Sequence, residues 1–180
     1  MTLTRRSLLL AALSTPLARG ALAHDRAALR PTEVRVHPGL APGDIYVIPE
    51  DYHLYHIRRP GVAMRYGVGV GRAGLEFKGG AVIQRKAEWP SWRPTDDMIA
   101  REPEKYAQYA DGVPGGPENP LGARALYLFR DGRDTYYRIH GTTNPETIGS
   151  SVSNGCIRLR NEDVMALYEN VAIGTHVTVV

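Results

Sequence analysis

Hydrophobic and polar positions alternate in short bursts along most of this chain. Glu33-Val34-Arg35-Val36, Asp44 to Ile48, Tyr52 to Ile57 and Met64 to Val68 are brief runs rich in β-branched and aromatic side chains. Pro, Gly, Asp or Asn punctuate them, the pattern of strands joined by tight connections. Ala81-Val82-Ile83 adds another. Arg124 to Phe129 and Thr135 to His140 flank Asp131-Gly132-Arg133, and Asp-Gly between two such runs predicts a hairpin. Two stretches, Trp89 to Pro94 and the proline- and glycine-packed Gly112 to Gly122, break the rhythm and read as irregular. Between them Asp97 to Tyr109 has room for a short helix. A firmer helix follows residue 160: Asn161 can cap it, Glu162 and Asp163 suit its positive end, and Val164, Leu167 and Val171 recur at helical spacing. Gly174 ends it, and Thr175 to Val180 closes the chain as a strand. The prediction is one mainly β domain with one or two short helices, and no internal repeat.

The start of the chain obeys different rules. Arg5-Arg6 precedes the apolar run Leu8 to Leu13, and Ala21-Leu22-Ala23 has the small-x-small form of a cleavage site. Residues 1–23 read as an export signal, 24–31 as a short tether and 32–180 as the folded domain. Thr4-Arg5-Arg6-Ser7-Leu8-Leu9 also resembles a twin-arginine signal. The apolar run is far shorter than the roughly 20 residues of a membrane-spanning helix. This leader changes the meaning of the charge. A net +3 and a pI near 9.1 invite a nucleic-acid partner. Yet Arg5, Arg6 and Arg19 lie in a leader without Asp or Glu, and removing them leaves 19 basic against 19 acidic residues. The mature chain is neutral, and nucleic-acid binding drops out. The expected destination is the periplasm or cell envelope.

An exported chain with Cys156 as its one cysteine forms no internal disulfide, so the thiol is either a small buried hydrophobe or a reagent. A reactive thiol needs a base or a lowered pKa. His140 ends a predicted strand 16 residues upstream, across a polar Gly/Ser/Asn loop able to turn back on itself. Gly155 lets a substrate carbonyl approach the backbone, and its amide with that of Cys156 can serve as oxyanion donors. An extended backbone after Cys156 sets Arg158 on the same face, with Ile157 and Leu159 inward. Arg158 then either favours the thiolate and binds a carboxylate or is a plain ion-pair partner. His53 and His56, three apart on a strand, face opposite sides and make no metal site. Trp89 and Trp92, beside Pro90 and Pro94, are expected to pin a loop onto the core.

His140-Gly141-Thr142, followed by Ser153-Asn154-Gly155-Cys156-Ile157-Arg158-Leu159, resembles the signature of the L,D-transpeptidase (YkuD-like) catalytic domain. Pro117 to Gly122, Arg138-Ile139-His140 and Gly174-Thr175-His176-Val177 are also similar to that family, so the likeness runs from about Ile45 to Val180. The resemblance implies a β-sandwich or barrel, Cys156 as nucleophile and His140 as base, with the Gly141 carbonyl orienting the ring. It implies Gly155 as an oxyanion donor, Ser153, Asn154 and Arg158 as substrate contacts, and no cofactor. The donor would be a peptidoglycan tetrapeptide stem and the acceptor an amine. Water as acceptor gives a carboxypeptidase or amide hydrolase instead, and a wall-binding module without catalysis is the reading from another class. Many members carry His where this chain has Asn154. N-terminal sequencing of the native protein is expected to read from near His24, and an intact Met1 in the cytoplasm overturns export.

Overall fold

The computed structural model describes residues 27–180, so the leader lies outside the described residues. In chain order the strands are β1 (Thr32–Arg35), β2 (Ile45–Ile48), β3 (His53–Arg59), β4 (Val62–Gly67), β5 (Val70–Gly71) and β6 (Gly79–Glu88). Helices α1 (Asp96–Arg101) and α2 (Pro103–Tyr106) follow, then β7 (Arg124–Arg130), β8 (Arg133–His140), β9 (Ser151–Ser153), β10 (Ile157–Arg158), α3 (Asn161–Asn170) and β11 (His176–Val179). Nine strands form one sheet in the order β1-β4-β3-β2-β11-β6-β7-β8-β10, and β5 pairs with β9 alone. The mainly β expectation holds.

The alternation read from the sequence sets the inward faces. Ile45 and Val47, Ile83, Leu126 and Leu128, Ile139, Ile157 and Leu159, and Val177 and Val179 form one buried cluster with Val164 and Leu167 of α3. The β7–β8 hairpin turns at Asp131 (φ 50°) and Gly132 (φ 74°), the left-handed pair that the Asp-Gly signal calls for. Strand β11 inserts beside β2 in parallel and β6 antiparallel, which locks the end of the chain into the middle of the sheet. Gly69 and Arg158 exchange backbone hydrogen bonds of 2.9 and 2.8 Å, so the chain just past β4 meets the far edge at β10. The sheet therefore curls round its core.

The helical pieces depart from the pattern in detail. The segment expected as one helix is split, because Glu102 (φ −136°, ψ 65°) precedes Pro103, and proline drives its predecessor out of the helical region. Thr95 caps α1 by accepting from the Met98 amide at 3.2 Å. Asn161 does not cap α3; the helix starts at Asn161 itself, its cap residue Arg160 makes no side-chain cap, and Asn161 Oδ1 accepts from elsewhere. Lys86 donates from Nζ to the Tyr168 and Val171 carbonyls, both at 2.6 Å, and neutralises the end of α3. Trp89 is 44% exposed, while Trp92 packs against Tyr106 and Tyr109. Among the described residues no helix is long and apolar enough to cross a membrane.

The described part of the expected tether is held down. Leu29 is buried, the Ala28 carbonyl accepts from His53 Nε2 (3.2 Å) and Arg65 Nη2 (3.3 Å), and the Leu29 carbonyl accepts from Arg160 Nη1 (3.0 Å). Gly67 makes room for it, since a Cβ there would sit 2.5 Å from the Leu29 oxygen. Gly67→Ala is expected to displace this strap and destabilise the domain by about 1–3 kcal/mol. Gly80→Ala, at a position with open space around it, is the control. Urea midpoints measure both, and equal midpoints would show that the strap adds nothing.

Candidate active site

Parallel pairing of β10 with β8 builds the site. Ile157 registers with Ile139 and Arg158 with His140, so paired side chains share a face. The two isoleucines point into the core, which turns Arg138, His140, Cys156 and Arg158 into one cavity of about 1190 Å³. Trp92, Arg101, Tyr106 and Tyr109 also line it.

His140 is buried, and its Nδ1 lies 2.6 Å from the Gly141 carbonyl. A carbonyl only accepts, so Nδ1 carries the proton and Nε2 keeps its lone pair. Burial pushes the His140 pKa down to about 4, with Arg158 and Arg138 adding to the shift and the Gly141 and Leu121 carbonyls opposing it. The same loss of water pushes the Cys156 thiol up, against the help of Arg138 and Arg158. At neutral pH the resting pair is therefore thiol and neutral imidazole, not thiolate and imidazolium. The sulfur's hydrogen bond runs to the Tyr136 carbonyl at 3.9 Å rather than to the imidazole.

That carbonyl is available because β8 is not the regular strand the alternation predicted. Between the pairs Tyr127–Arg138 and Phe129–Asp134 the register shifts, and Tyr136, 71% exposed, takes φ 61°. Asp134 Oδ1 accepts from the Tyr136 amide (2.8 Å) and Thr135 Oγ1 donates to the Leu128 carbonyl (2.6 Å), which together hold the bulge. Arg138 is clamped by the same Asp134, both carboxylate oxygens accepting at 2.6 and 2.8 Å, and lies over the Tyr127 ring at 4.2 Å.

The loop before Cys156 is tightly made. Gly155 has φ 117°, and a Cβ there would lie 2.3 Å from both the Leu75 oxygen and the Tyr137 ring. Glycine is needed because the protein itself crowds this backbone, a different reason from the substrate approach expected. The Gly155 amide donates to Ser153 Oγ at 3.1 Å, and Ser153 Oγ donates to the Cys156 carbonyl at 2.7 Å. Asn154 Oδ1 accepts from Arg72 (2.9 Å) and Arg101 (3.1 Å), while its Nδ2 donates to the Tyr106 hydroxyl at 2.6 Å. Glu102 pairs with Arg72 in the same cluster.

Arg158 is the unusual member. Its Nε and Nη2 are buried and, among the described residues, without a hydrogen-bond partner, close enough to Gly69 that a Cβ there would lie 3.5 and 3.4 Å from them. Burial lowers its pKa, with Cys156 and Glu146 opposing. A guanidinium in that state gains strongly from an anion. His53 and His56 have separate surroundings: His53 bonds the Ala28 carbonyl, while His56 is buried with Nδ1 unpartnered among the described residues.

These features define a β-rich domain with a cysteine and a tautomer-fixed histidine on one cavity face. Residues 42–179 match the family model of the L,D-transpeptidase catalytic domain (YkuD), and the chain belongs to that family. It is 39% identical over 138 residues to the probable L,D-transpeptidase ErfK/SrfK of Escherichia coli, covering 76% of this chain and 40% of that one. Against the probable L,D-transpeptidase YbiS of the same organism it is 40% identical over 61% of this chain and 35% of that one. The chain thus spans well under half of these curated relatives. A solved structure from Brucella melitensis, described as a probable carnitine operon oxidoreductase, is 53% identical with a TM-score of 0.58, over 81% of this chain and 90% of that one. That redox name belongs to that protein. An Enterococcus faecium L,D-transpeptidase, at 17% identity and TM-score 0.55 over 80% of this chain and 52% of that one, shares the fold.

His56, like His140, has its pKa pushed down to about 4, by burial and by Arg58. Both folded values lie below the ordinary 6.5 of an unfolded chain, so as pH falls from 6.5 the unfolded state takes up two protons that the fold refuses. Their contribution is complete above pH 6.5 and lost progressively toward pH 4, about 3 kcal/mol at most for each histidine. Denaturant unfolding at pH 7.5, 6 and 5 is expected to show that decline. A flat profile would overturn the buried neutral state.

Proposed function

We propose that this chain is an exported cysteine acyltransferase that works on peptidoglycan tetrapeptide stems. What carries this reading is the tautomer of His140: with Nδ1–H committed to the Gly141 carbonyl, Nε2 is left as a base facing the cavity that also holds Cys156. The family's named activity and the leader pattern support it.

Because the pair rests neutral, proton transfer accompanies attack. The thiol swings from Tyr136 toward His140, Nε2 takes its proton, and sulfur forms a bond to the carbonyl carbon of the third stem residue. The tetrahedral oxygen is stabilised by backbone donors. We assign the Cys156 amide first, since a substrate oxygen must share the Gly155 amide with Ser153 Oγ. Collapse breaks the C–N bond to the terminal D-alanine, whose nitrogen receives the proton from His140. An acceptor amine then attacks the thioester, passes its proton to His140, and the thiol is restored. Arg158 binds a stem carboxylate, while Ser153 and Asn154 contact the donor; for Asn154 this competes with its bonds to Arg72 and Arg101. The arrangement calls on no cofactor.

Mature protein incubated with muropeptides and an amine, read by product mass, is the test. Crosslinked or amine-bearing products are expected; loss of alanine alone indicates water as acceptor, and no change favours a binding module. Cys156→Ala and His140→Ala are expected to abolish turnover while remaining folded, and a fully active Cys156→Ala ends the proposal. In the same assay Arg158→Lys should raise KM markedly and Arg158→Ala further, because a point charge lacks the planar fork. Unchanged KM with only a lower Tm returns Arg158 to a structural role.

A further inference from the structure

We infer that Asn161, the first residue of α3, is a positioning residue for His140, acting through the peptide between Gly141 and Thr142. Its catalytic meaning rests on the acyl-transfer reading above; its structural claim does not. Asn161 Oδ1 accepts two backbone hydrogen bonds, from the Ala123 amide at 3.0 Å and the Thr142 amide at 3.2 Å. The Thr142 N–H and the Gly141 C=O belong to one planar trans peptide, in which the two groups point in opposite directions. Holding the N–H toward α3 therefore aims the carbonyl away from it, onto His140 Nδ1 at 2.6 Å. If that peptide turned over, a donor would face Nδ1. The ring would then have to accept there and carry its proton on Nε2, where the base is needed. One amide oxygen thus selects the tautomer of the histidine without touching it.

The surroundings are shaped for this oxygen. A Cβ on Gly141 would lie 2.1 Å from Asn161 Oδ1, and one on Gly122 would lie 2.2 Å from it. Both glycines are buried, on separate loops, and open to the same atom. Neighbouring bonds fix the frame: the Gly141 amide donates to the Arg124 carbonyl at 3.1 Å and the Leu159 amide to the His140 carbonyl at 2.8 Å. The loop entering β7, the end of β8 and the start of α3 are clipped together within a few ångströms of the base.

The test compares Asn161→Ala with Asn161→Asp, which keeps an acceptor oxygen in place, using the full mature chain with ¹⁵N-labelled histidine. Long-range ¹H–¹⁵N spectra near pH 7 are expected to show His140 as the Nδ1–H tautomer in wild type and Asn161→Asp. Asn161→Ala should show Nε2–H or a mixture. Its kcat should fall about tenfold or more, with KM within about twofold, and Asn161→Asp should restore most of the loss. A pure Nδ1–H tautomer and unchanged kcat in Asn161→Ala, with only a lower Tm, overturns the proposal. If Asn161→Ala does not fold, Asn161→Ser, whose shorter hydroxyl cannot span both amides, is judged by the same spectra. Turnover that survives His140→Ala would sink the acyl-transfer reading while the tautomer still decides the role of Asn161. Turnover that needs His140 beside a tautomer indifferent to Asn161 sinks this inference alone.

Discussion

Two residues of parallel pairing, Ile157 with Ile139 and Arg158 with His140, hold the centre of this molecule together. Sheet alternation means that once Ile139 and Ile157 are committed to the core, their neighbours have no choice of side. A slip of β10 by one residue would bury Arg158 and Cys156 and expose Ile157 and Leu159. The hydrophobic cost of that slip, about 1.5–3 kcal/mol for each large side chain lost from the core, is what keeps thiol and imidazole in one cavity. The backbone bonds between Gly69 and Arg158 brace β10 from its other edge, so this very short strand is paired on both sides.

Around that pairing, the glycines mark close approaches more than loose hinges. Gly155 admits the Tyr137 ring and the Leu75 carbonyl, Gly71 passes against the Gly155 backbone, and Gly122 and Gly141 make space for Asn161. The result is a site whose backbone is fixed before substrate arrives, the condition under which oriented donors and a preset tautomer are worth most. Polar groups do the complementary work. Asn154 offers both an acceptor and donors. It can therefore tie Arg72 and Arg101 to Tyr106 at once, joining the α1–α2 segment to the loop that carries the nucleophile.

Much of this was legible in one dimension. The strand runs, the Asp-Gly hairpin and the inward Ile157 and Leu159 follow from period-two patterning, which is a local property of each segment. The Cys156, His140 and Arg158 set was legible because chemistry restricts which residue types can serve and the intervening loop was polar enough to fold back. What remained hidden depends on partners distant in sequence. The bulge at Tyr136 needs Asp134, Thr135 and the facing Leu128 carbonyl together. Asn161 looked like a helix cap because local chemistry suits it there, and only the packed loops at Gly122 and Gly141 reassign its oxygen.

The sequence by itself determined the mainly β class, the even balance of charge beyond residue 23 and Cys156 and His140 as the candidate pair. The protonation states were decided only by tertiary structure. Burial raises the thiol and lowers the imidazole, and the Gly141 carbonyl, held in place by bonds to residues distant in sequence, selects the nitrogen that carries the proton. Residue types set which groups can ionise; the removal of water and the direction of nearby dipoles set whether they do.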